Sequence, residues 1–543
     1  MLNEIKKIID TALTELKIIN GLSYSVELPP ATITADVSTN IALLLSKILK
    51  KNPSQLAAPI IEKLKKEKII ADAKFQSGFI NIILSDDFLF EQLKRAIIQA
   101  DNFGKTGFLK NKKILVEFVS ANPTGPLTVG HGRGTVIGDS ISRILESLGC
   151  KVTREYYFND AGLQMGILAN SVYLRYRQLI GENVSFLEDH YQGEYIKEIA
   201  QKCRLEKGDN LTEKDLDYFK NVAIEYCFAG IKKDLKNMGV VFDSYFNESS
   251  LYQTGDIKKT ISDLNSTGYT YEKEGALWFK STEFGASKDK VLLRSTTDKE
   301  PTYRVTDIAY HRKKYERDYD ILIDLFGCDH QDTYPDVIAA LKVLGYDTSK
   351  IVVKIYQFVT LTSSGKQVKM STRKANYITL SQLIDEIGVD AVRFFYLMRH
   401  MEAHLDFDLD LAKKQAPENP VYYVQYAHAR ICSIFREAEK ANSKFQIPNS
   451  KLENLKLQEE RQLIKQILYF EDIIELAARN YAPHYLTKYL QTLASLFHFY
   501  YNKVRIITAN AQLTSARLQL CQAVKTVLKN GLYILGVSAP ERM

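Results

Sequence analysis

The sequence predicts a multidomain α/β protein, in which a parallel, doubly wound sheet lies between a small N-terminal α/β segment and a C-terminal all-helical bundle. Three observations predict it. Lys113-Ile-Leu-Val-Glu-Phe-Val119 is an apolar run of buried-strand type. It leads through a loop rich in Pro and Gly into a helix over about 132–148 and a second strand over 152–158, a β-loop-α-β unit of the kind that builds parallel sheets. Late in the chain, apolar residues recur at helical spacing instead (Leu463, Ile467, Phe470 and Ile474; Leu486, Leu490, Leu493, Phe497 and Tyr500; Leu518, Cys521, Val524, Leu528 and Leu532), the pattern of a helical core. And 543 residues exceed what one hydrophobic core organises, so several domains are expected.

Each segment follows in order. Residues 1–107 mix helix and strand: 41–49 is a helix candidate with Ser38, Thr39 and Asn40 as caps, and 79–84 is a strand preceded by a turn at Gly78. Residues 108–408 carry the parallel sheet. Within them 162–263 is mostly helical and polar and reads as an insertion, after which strand signals resume at 276–279, 319–324 and 351–356. Residues 409–543 form the helical bundle.

Composition is that of a folded globular protein, with 45% hydrophobic and 25% charged residues. The first twenty residues alternate charge with apolar residues, unlike a signal peptide. No run reaches the roughly 18 apolar residues that span a bilayer, so a cytoplasmic location without a membrane partner is expected. Six scattered cysteines form no C-x-x-C pair. Neither a metal site nor a disulfide framework is suggested, and no prosthetic group is expected. Net charge is +7, and residues 480–543 hold seven basic side chains (Lys488, Lys503, Arg505, Arg517, Lys525, Lys529, Arg542) against one acid, Glu541. That asymmetry suits a polyanionic partner, and equally a solvated helical face.

The loop between the first strand and its helix reads Ser120-Ala-Asn-Pro-Thr-Gly-Pro-Leu-Thr-Val-Gly-His131-Gly-Arg-Gly134. Free N–H groups and the dipole at a helix start favour phosphate. Gly130, Gly132 and Gly134 leave room for a bulky ligand, and His131 can donate to a phosphoryl oxygen. Alone, this reads as a glycine-eased turn with a capping histidine. Some 240 residues later stands Gly365-Lys-Gln-Val-Lys369-Met370-Ser371-Thr372-Arg373-Lys374, a cation-rich loop of the kind that closes over a pyrophosphate.

Together, Thr128-Val-Gly-His131 and Lys369-Met-Ser-Thr-Arg373 resemble the "HIGH" and "KMSKS" signatures of class I aminoacyl-tRNA synthetases, whose catalytic domain is a Rossmann-like, nucleotide-binding parallel sheet. Further motifs resemble the arginyl-tRNA synthetase family: Val116-Glu117-Phe-Val-Ser-Ala-Asn122-Pro, Tyr156-Tyr-Phe-Asn159-Asp160-Ala-Gly162-Leu-Gln164, Thr302-Tyr303-Arg-Val-Thr-Asp307-Ile-Ala, Asn419-Pro-Val-Tyr-Tyr-Val-Gln-Tyr-Ala-His-Ala-Arg430 and the ending Gly536-Val-Ser-Ala-Pro-Glu-Arg-Met543. The resemblance covers essentially the whole chain.

It implies ATP-dependent ligation of L-arginine to tRNA(Arg) through arginyl-adenylate, with ATP as substrate, Mg²⁺ bound with it, and a monomer as the working form. Catalytic roles are implied for Thr128, Gly130, His131, Lys369, Met370, Ser371 and Arg373. ATP contacts are implied at Ser120, Pro123, Gly130, His131, Gly132, Gly327, Asp329 and Met370. Arginine contacts are implied at Glu117, Asn122, Tyr303, Asp307, His330 and Gln331. A planar guanidinium with five donors calls for carboxylates in a fork, the part given to Glu117 and Asp307, with Asn122 on the α-amino group. The residues by themselves leave Glu117 open as a strand-edge charge and Asp307 as a helix cap. Contacts with tRNA are implied at Phe79 and Asn81, the pair that reads the D-loop, and at Asn159, Asp160, Gln164, Tyr426 and Arg430, with the helical bundle holding the anticodon.

Two departures stand out. Thr128 replaces the first histidine of the ATP signature, which predicts weakened phosphate binding, and Thr372 replaces the second lysine of the later one. Where some arginine enzymes with that gap carry a compensating lysine, this chain has Gly125, which leaves Lys366, Lys369, Arg373 or Lys374 to supply the cation. Two rivals remain: a small-molecule nucleotidylyltransferase, and a non-catalytic RNA-binding paralogue.

Overall fold

The computed structural model describes residues 1–18, 21–30, 33–186, 189–295, 300–368, 378–440 and 451–543. The chain packs as two units, Leu109–Gln415 and the combination of Met1–Phe108 with Ala416–Met543.

The first of these is built on a five-stranded sheet. Its strands are β1 (Lys113–Glu117), β2 (Lys151–Phe158), β3 (Ser244–Asn247), β4 (Ile321–Gly327) and β5 (Ile351–Tyr356), in the order β5-β4-β1-β2-β3 and all parallel. Ile114, Leu115 and Val116 of β1 are fully buried, as expected of a strand covered on both faces. The order reverses at β1, and such a switch point opens a crevice at the strands' carboxyl ends. Helix α1 (Val129–Ser147) follows β1. Helices α2 (Leu163–Leu179), α3 (Glu194–Lys207) and α4 (Leu216–Asn237) form the insertion around their own core of Val172, Tyr176, Ile199 and Phe219. Helix α5 (Tyr303–Tyr315) precedes β4.

Two strands depart from the sequence reading. Ser244–Asn247, inside the stretch read as a helical insertion, is the fifth strand of the parallel sheet. Ala276–Phe279, read as a return to that sheet, instead pairs antiparallel with Thr270–Lys273 and Lys290–Ser295 in a separate four-stranded sheet.

In the other unit, Phe79–Leu84 is the strand expected there, held antiparallel between Val37–Thr39 and Ile70–Gln76. The C-terminal part consists of helices Pro420–Lys440, Gln458–Leu468, Phe470–Asn480, His484–Lys503 and Ala511–Ile534, and every residue of the apolar stripes named above is buried. The two parts of this unit are joined through Asp36, which is buried and accepts from Leu84 N–H at 2.8 Å, Arg461 at 2.6 Å and Lys465 at 2.9 Å.

Candidate nucleotide and amino-acid site

The site grows from the end of β1. Val119 and Ser120 both adopt positive φ (68° and 41°), a backbone region costly for a β-branched residue and met mainly where function or packing demands it. The bend turns Ser120 back: its Oγ donates to Glu117 Oε1 at 2.9 Å and accepts from the Tyr157 N–H at 3.1 Å. The loop is held from above by two tyrosines, Tyr156 donating to the Ala121 carbonyl and Tyr195 of α3 to that of Thr124, each at 2.6 Å. A Cβ on Gly125 would stand 3.0 Å from the Tyr195 hydroxyl, so the compensating lysine absent from this chain would meet the ring that pins its loop.

Helix α1 begins at the loop's end. Thr128 is its N-cap, with Oγ1 accepting from the His131 N–H at 3.5 Å, while the Thr128 N–H donates to His131 Nδ1 at 3.1 Å. A ring nitrogen that accepts is unprotonated, so the proton sits on Nε2. Burial lowers the pKa of His131, against the opposing charge of Asp329, and keeps the ring neutral. Thr128 thus serves first as a cap; its hydroxyl is engaged with His131. Of the three glycines expected to leave ligand space, Gly130 does, with nothing closer to an added Cβ than Thr128 Oγ1 at 3.6 Å. Gly132 and Gly134 do not. An added Cβ would meet Leu380 at 2.7 Å in the one and the Tyr356 ring at 2.7 Å in the other, so their openness serves protein packing. Pro123 is buried, and Asn122 Nδ2 donates to Gln164 Oε1 at 2.6 Å, joining a residue expected at arginine to one expected at tRNA.

The acidic side of the site faces α5. Tyr303, Asp307, Tyr310, His311 and Lys314 share one helical face by their spacing. Tyr303 is 48% exposed and Asp307 half-buried. Desolvation pushes Asp307 up to about 7, with the charges of Glu117 and Glu248 adding to the shift and those of His311 and Lys314 opposing it. Glu117 is only 4% exposed, with Lys314 Nζ 2.5 Å from its Oε2. The same ammonium is 2.5 Å from Asp324 Oδ1, and Glu117 and Asp324 are register partners on adjacent strands. Lys314, His311, Asp324, Glu248 and Tyr157 were not singled out from the sequence. The signal for the first two was the 303–307–311–314 spacing, which lays them on the face that carries Asp307.

Past β4, Gly327 is covered by Asp329, whose Oδ1 would be 2.5 Å from an added Cβ. His330 is exposed and stacks on Phe326 at 5.5 Å; Gln331 is exposed. Lys369, Met370, Ser371, Thr372, Arg373 and Lys374 lie outside the described residues.

The residues expected at tRNA are differently placed. Asn81 is 8% exposed and accepts from Ser38 Oγ at 2.5 Å, while Phe79 is half-buried. Asp160 is anchored internally, taking the Ser249 N–H, the Ser249 hydroxyl and the Asn247 amide at 2.7–2.8 Å. Asn159 accepts from the Ala161 N–H at 3.4 Å. Arg430 lies 4.9 Å from the Tyr426 ring centre and 5.2 Å from that of Tyr501. Of the seven basic residues near the C-terminus, three are ion-paired among the described residues: Lys503 with Glu459, Lys529 with Asp101 at 2.8 Å and Arg517 with Glu460 at 2.9 Å.

A parallel sheet whose first strand leads through a loop containing Pro123, Gly125 and Pro126 into a helix capped by Thr128 and His131 has the architecture of a nucleotide-binding domain. The family model described as "tRNA synthetases class I (R), catalytic domain" matches residues 92–401, which sets the class: a class I aminoacyl-tRNA synthetase. Residues 3–84 match "Arginyl tRNA synthetase N terminal domain" and residues 424–543 match "DALR anticodon binding domain". The "Arginine--tRNA ligase" of Desulfotalea psychrophila is 48% identical over 524 residues, covering 96% of this chain and 95% of that protein. That of Prosthecochloris aestuarii is 48% identical over 529 residues, with 96% of each covered. The structure of Thermus thermophilus arginyl-tRNA synthetase matches with a TM-score of 0.80 over the full length of both chains at 22% identity, a likeness of fold. The chain belongs to the arginyl-tRNA synthetase family.

Proposed function

We propose that this chain ligates L-arginine to tRNA(Arg) in two steps at the carboxyl edge of the parallel sheet. The arginine carboxylate attacks the α-phosphorus of ATP, giving arginyl-adenylate and diphosphate. A hydroxyl of the terminal tRNA ribose then attacks the activated carbonyl and releases AMP. The observation that carries this reading is the meeting of two chemistries at one strand end: a neutral histidine at a helix start, and a half-buried carboxylate, Asp307, among further acids.

In this reading His131 donates Nε2–H to a phosphoryl oxygen, and the N-terminus of α1 stabilises the charge that develops there. Thr128 acts by setting His131. Ser120, Gly130, Gly327 and Asp329 border the nucleotide, with the buried Pro123 and Gly132 shaping the loop and helix start behind them, and Lys369, Met370, Ser371 and Arg373 belong to the loop that neutralises the leaving diphosphate. Mg²⁺ arrives on the triphosphate, where it keeps phosphate oxygens and waters as its main ligands and needs no cage of protein side chains. Asp329, exposed and near enough to His131 to act on its charge, is the carboxylate to meet that hydrated ion.

Asp307 takes the guanidinium first, with Glu117 behind it and Tyr303 covering the substrate. Asn122, steadied by Gln164, holds the α-amino group, and His330 and Gln331 lie at the mouth. Lysine as a rival substrate offers a point charge in place of a planar fork and loses the paired hydrogen bonds. For tRNA, Phe79 with Asn81 addresses the D-loop, Asn159 and Asp160 shape the turn beside the acceptor end, and Tyr426 with Arg430 offers a stacking surface in the bundle. The enzyme works as a monomer in the cytoplasm. The test is ATP-dependent capture of labelled arginine on tRNA, with lysine and glutamine in parallel. Arginine alone should be incorporated, and a folded protein that charges none refutes the reading.

A further inference from the structure

Behind the guanidinium subsite lies a lysine that none of the roles above employs. Lys314 is fully buried, its Nζ 2.5 Å from both Glu117 Oε2 and Asp324 Oδ1 and 4.4 Å from the centre of the Tyr310 ring. Asp324 Oδ2 is 2.9 Å from His311 Nε2, and His311 Nδ1 is 2.8 Å from the backbone carbonyl of Asp307. One continuous chain of polar contacts therefore runs from Glu117 through Lys314, Asp324 and His311 to Asp307.

The geometry points to Lys314 as a positioning residue for arginine selection, one that fixes Glu117 directly and, through Asp324 and His311, steadies the turn of α5 that carries Asp307. The inference rests on reading this site as the guanidinium subsite. A planar fork of donors is selective only if the acceptors that meet it are held in place. Both oxygens of Glu117 are held, Oε2 by Lys314 and Oε1 by Ser120. Burial alone would discharge Lys314, but the two carboxylates outweigh it and hold its pKa above the ordinary value.

Without the ammonium, Glu117 and Asp324 would stand as neighbouring buried acids on paired strands, and one would take up a proton. A protonated Glu117 presents a donor where the guanidinium requires an acceptor. Glu155 is engaged by Arg317 and the Tyr310 hydroxyl, and Glu248 by the Tyr157 hydroxyl. Loss of Lys314 should therefore fall on arginine and spare ATP, which is bound at the α1 end of the site.

The experiment compares wild type, Lys314→Met and the charge-conserving double variant Lys314→Met/Asp324→Asn in tRNA charging, with thermal melts as a check on folding. The double variant removes one positive and one negative charge together, which keeps the question answerable if Lys314→Met does not fold. Both variants are expected to raise the KM for arginine by about tenfold or more while KM for ATP stays within about twofold. In Lys314→Met the acid limb of kcat/KM for arginine should also move to higher pH, because the ammonium that opposes the upward shift of Asp307 is gone. A folded double variant with the wild-type KM for arginine shows that Lys314 only balances charge and overturns the inference. So does an equal rise of both KM values in a folded variant. A wild-type chain that does not charge tRNA with arginine overturns the functional reading and this inference together; normal charging beside an unaffected folded variant overturns this inference alone.

Discussion

Asp307 supplies the sharpest quantitative consequence of the site. Its carboxyl is pushed up to about 7, because desolvation and the neighbouring acids outweigh His311 and Lys314. A guanidinium requires the ionised form. At pH 6 roughly a tenth of the protein is competent by this criterion, at pH 8 roughly nine-tenths, and apparent affinity falls in proportion. Arginine should therefore bind about tenfold more weakly at pH 6 than at pH 8, with close to one proton released per arginine at pH 6 and almost none at pH 8. Calorimetric titration with arginine in two buffers of different ionisation enthalpy measures both quantities. Asp307→Asn should bind weakly and lose the slope. For folding the sign is reversed. A carboxyl whose pKa is raised in the folded state contributes stability below its ordinary value, and that contribution disappears as pH climbs from about 4 to 7. The asparagine variant should accordingly melt higher than wild type at pH 8, by an increment on the order of a few kcal/mol at most. An arginine affinity that is flat between pH 6 and 8, or an equal slope in Asp307→Asn, refutes the assignment of the titration to Asp307.

Two further predictions concern buried charges outside the guanidinium subsite. Arg133, on α1 and fully buried, donates to the backbone carbonyls of Gln357 at 2.7 Å and His400 at 3.1 Å. Arg133→Met leaves these acceptors dry and should cost about 2–4 kcal/mol, read as a lowered urea midpoint with an unchanged slope. Asp36→Ala leaves Arg461, Lys465 and the Leu84 N–H without their shared acceptor and should cost about 3–5 kcal/mol. Arg461→Ala combined with it should cost less than the two changes separately, and strict additivity would show that the pair is not coupled.

How far the sequence reveals this protein depends on whether a feature is local. The strand Phe79–Leu84, the strand at Lys113–Glu117 and the helix after it are legible because periodicity, turn residues and the cap all lie within a few positions. Ser244–Asn247 is not, since four residues of half-exposed pattern become a strand only by pairing with the edge of β2, nearly ninety positions earlier. Ala276–Phe279 shows the converse, a strand whose existence is local while its sheet is decided by partners on either side. Charges behave the same way. The basic C-terminal stretch counts seven cations, yet the acids that engage Lys503, Lys529 and Arg517 come from Glu459, Asp101 and Glu460, outside the window in which the count was made. Nothing local to Arg-Lys-Lys-Tyr marks Lys314 as buried. Only the α5 spacing from Asp307 places it on the inner face, and only β1 and β4 supply the two acids that keep it charged.

Thr128 shows how a departure from a family signature changes meaning once its neighbours are known. Counted as a missing phosphate ligand, it weakens the ATP site. In the fold it caps α1, a place where threonine is favoured and histidine is not, and its own N–H fixes the proton of His131 on the outward nitrogen. It also pairs with Thr379, while the Leu380 N–H bonds the Leu127 carbonyl at 2.8 Å, so the start of α1 is tied to the residues that follow the second ATP signature in the chain. A helix start held at both its cap and the residue before it leaves His131 little freedom, and a donor already in place pays little reorganisation when charge develops on a phosphoryl oxygen. The side-chain donor lost at position 128 is thus offset, at least in part, by better placement of the one that remains at 131.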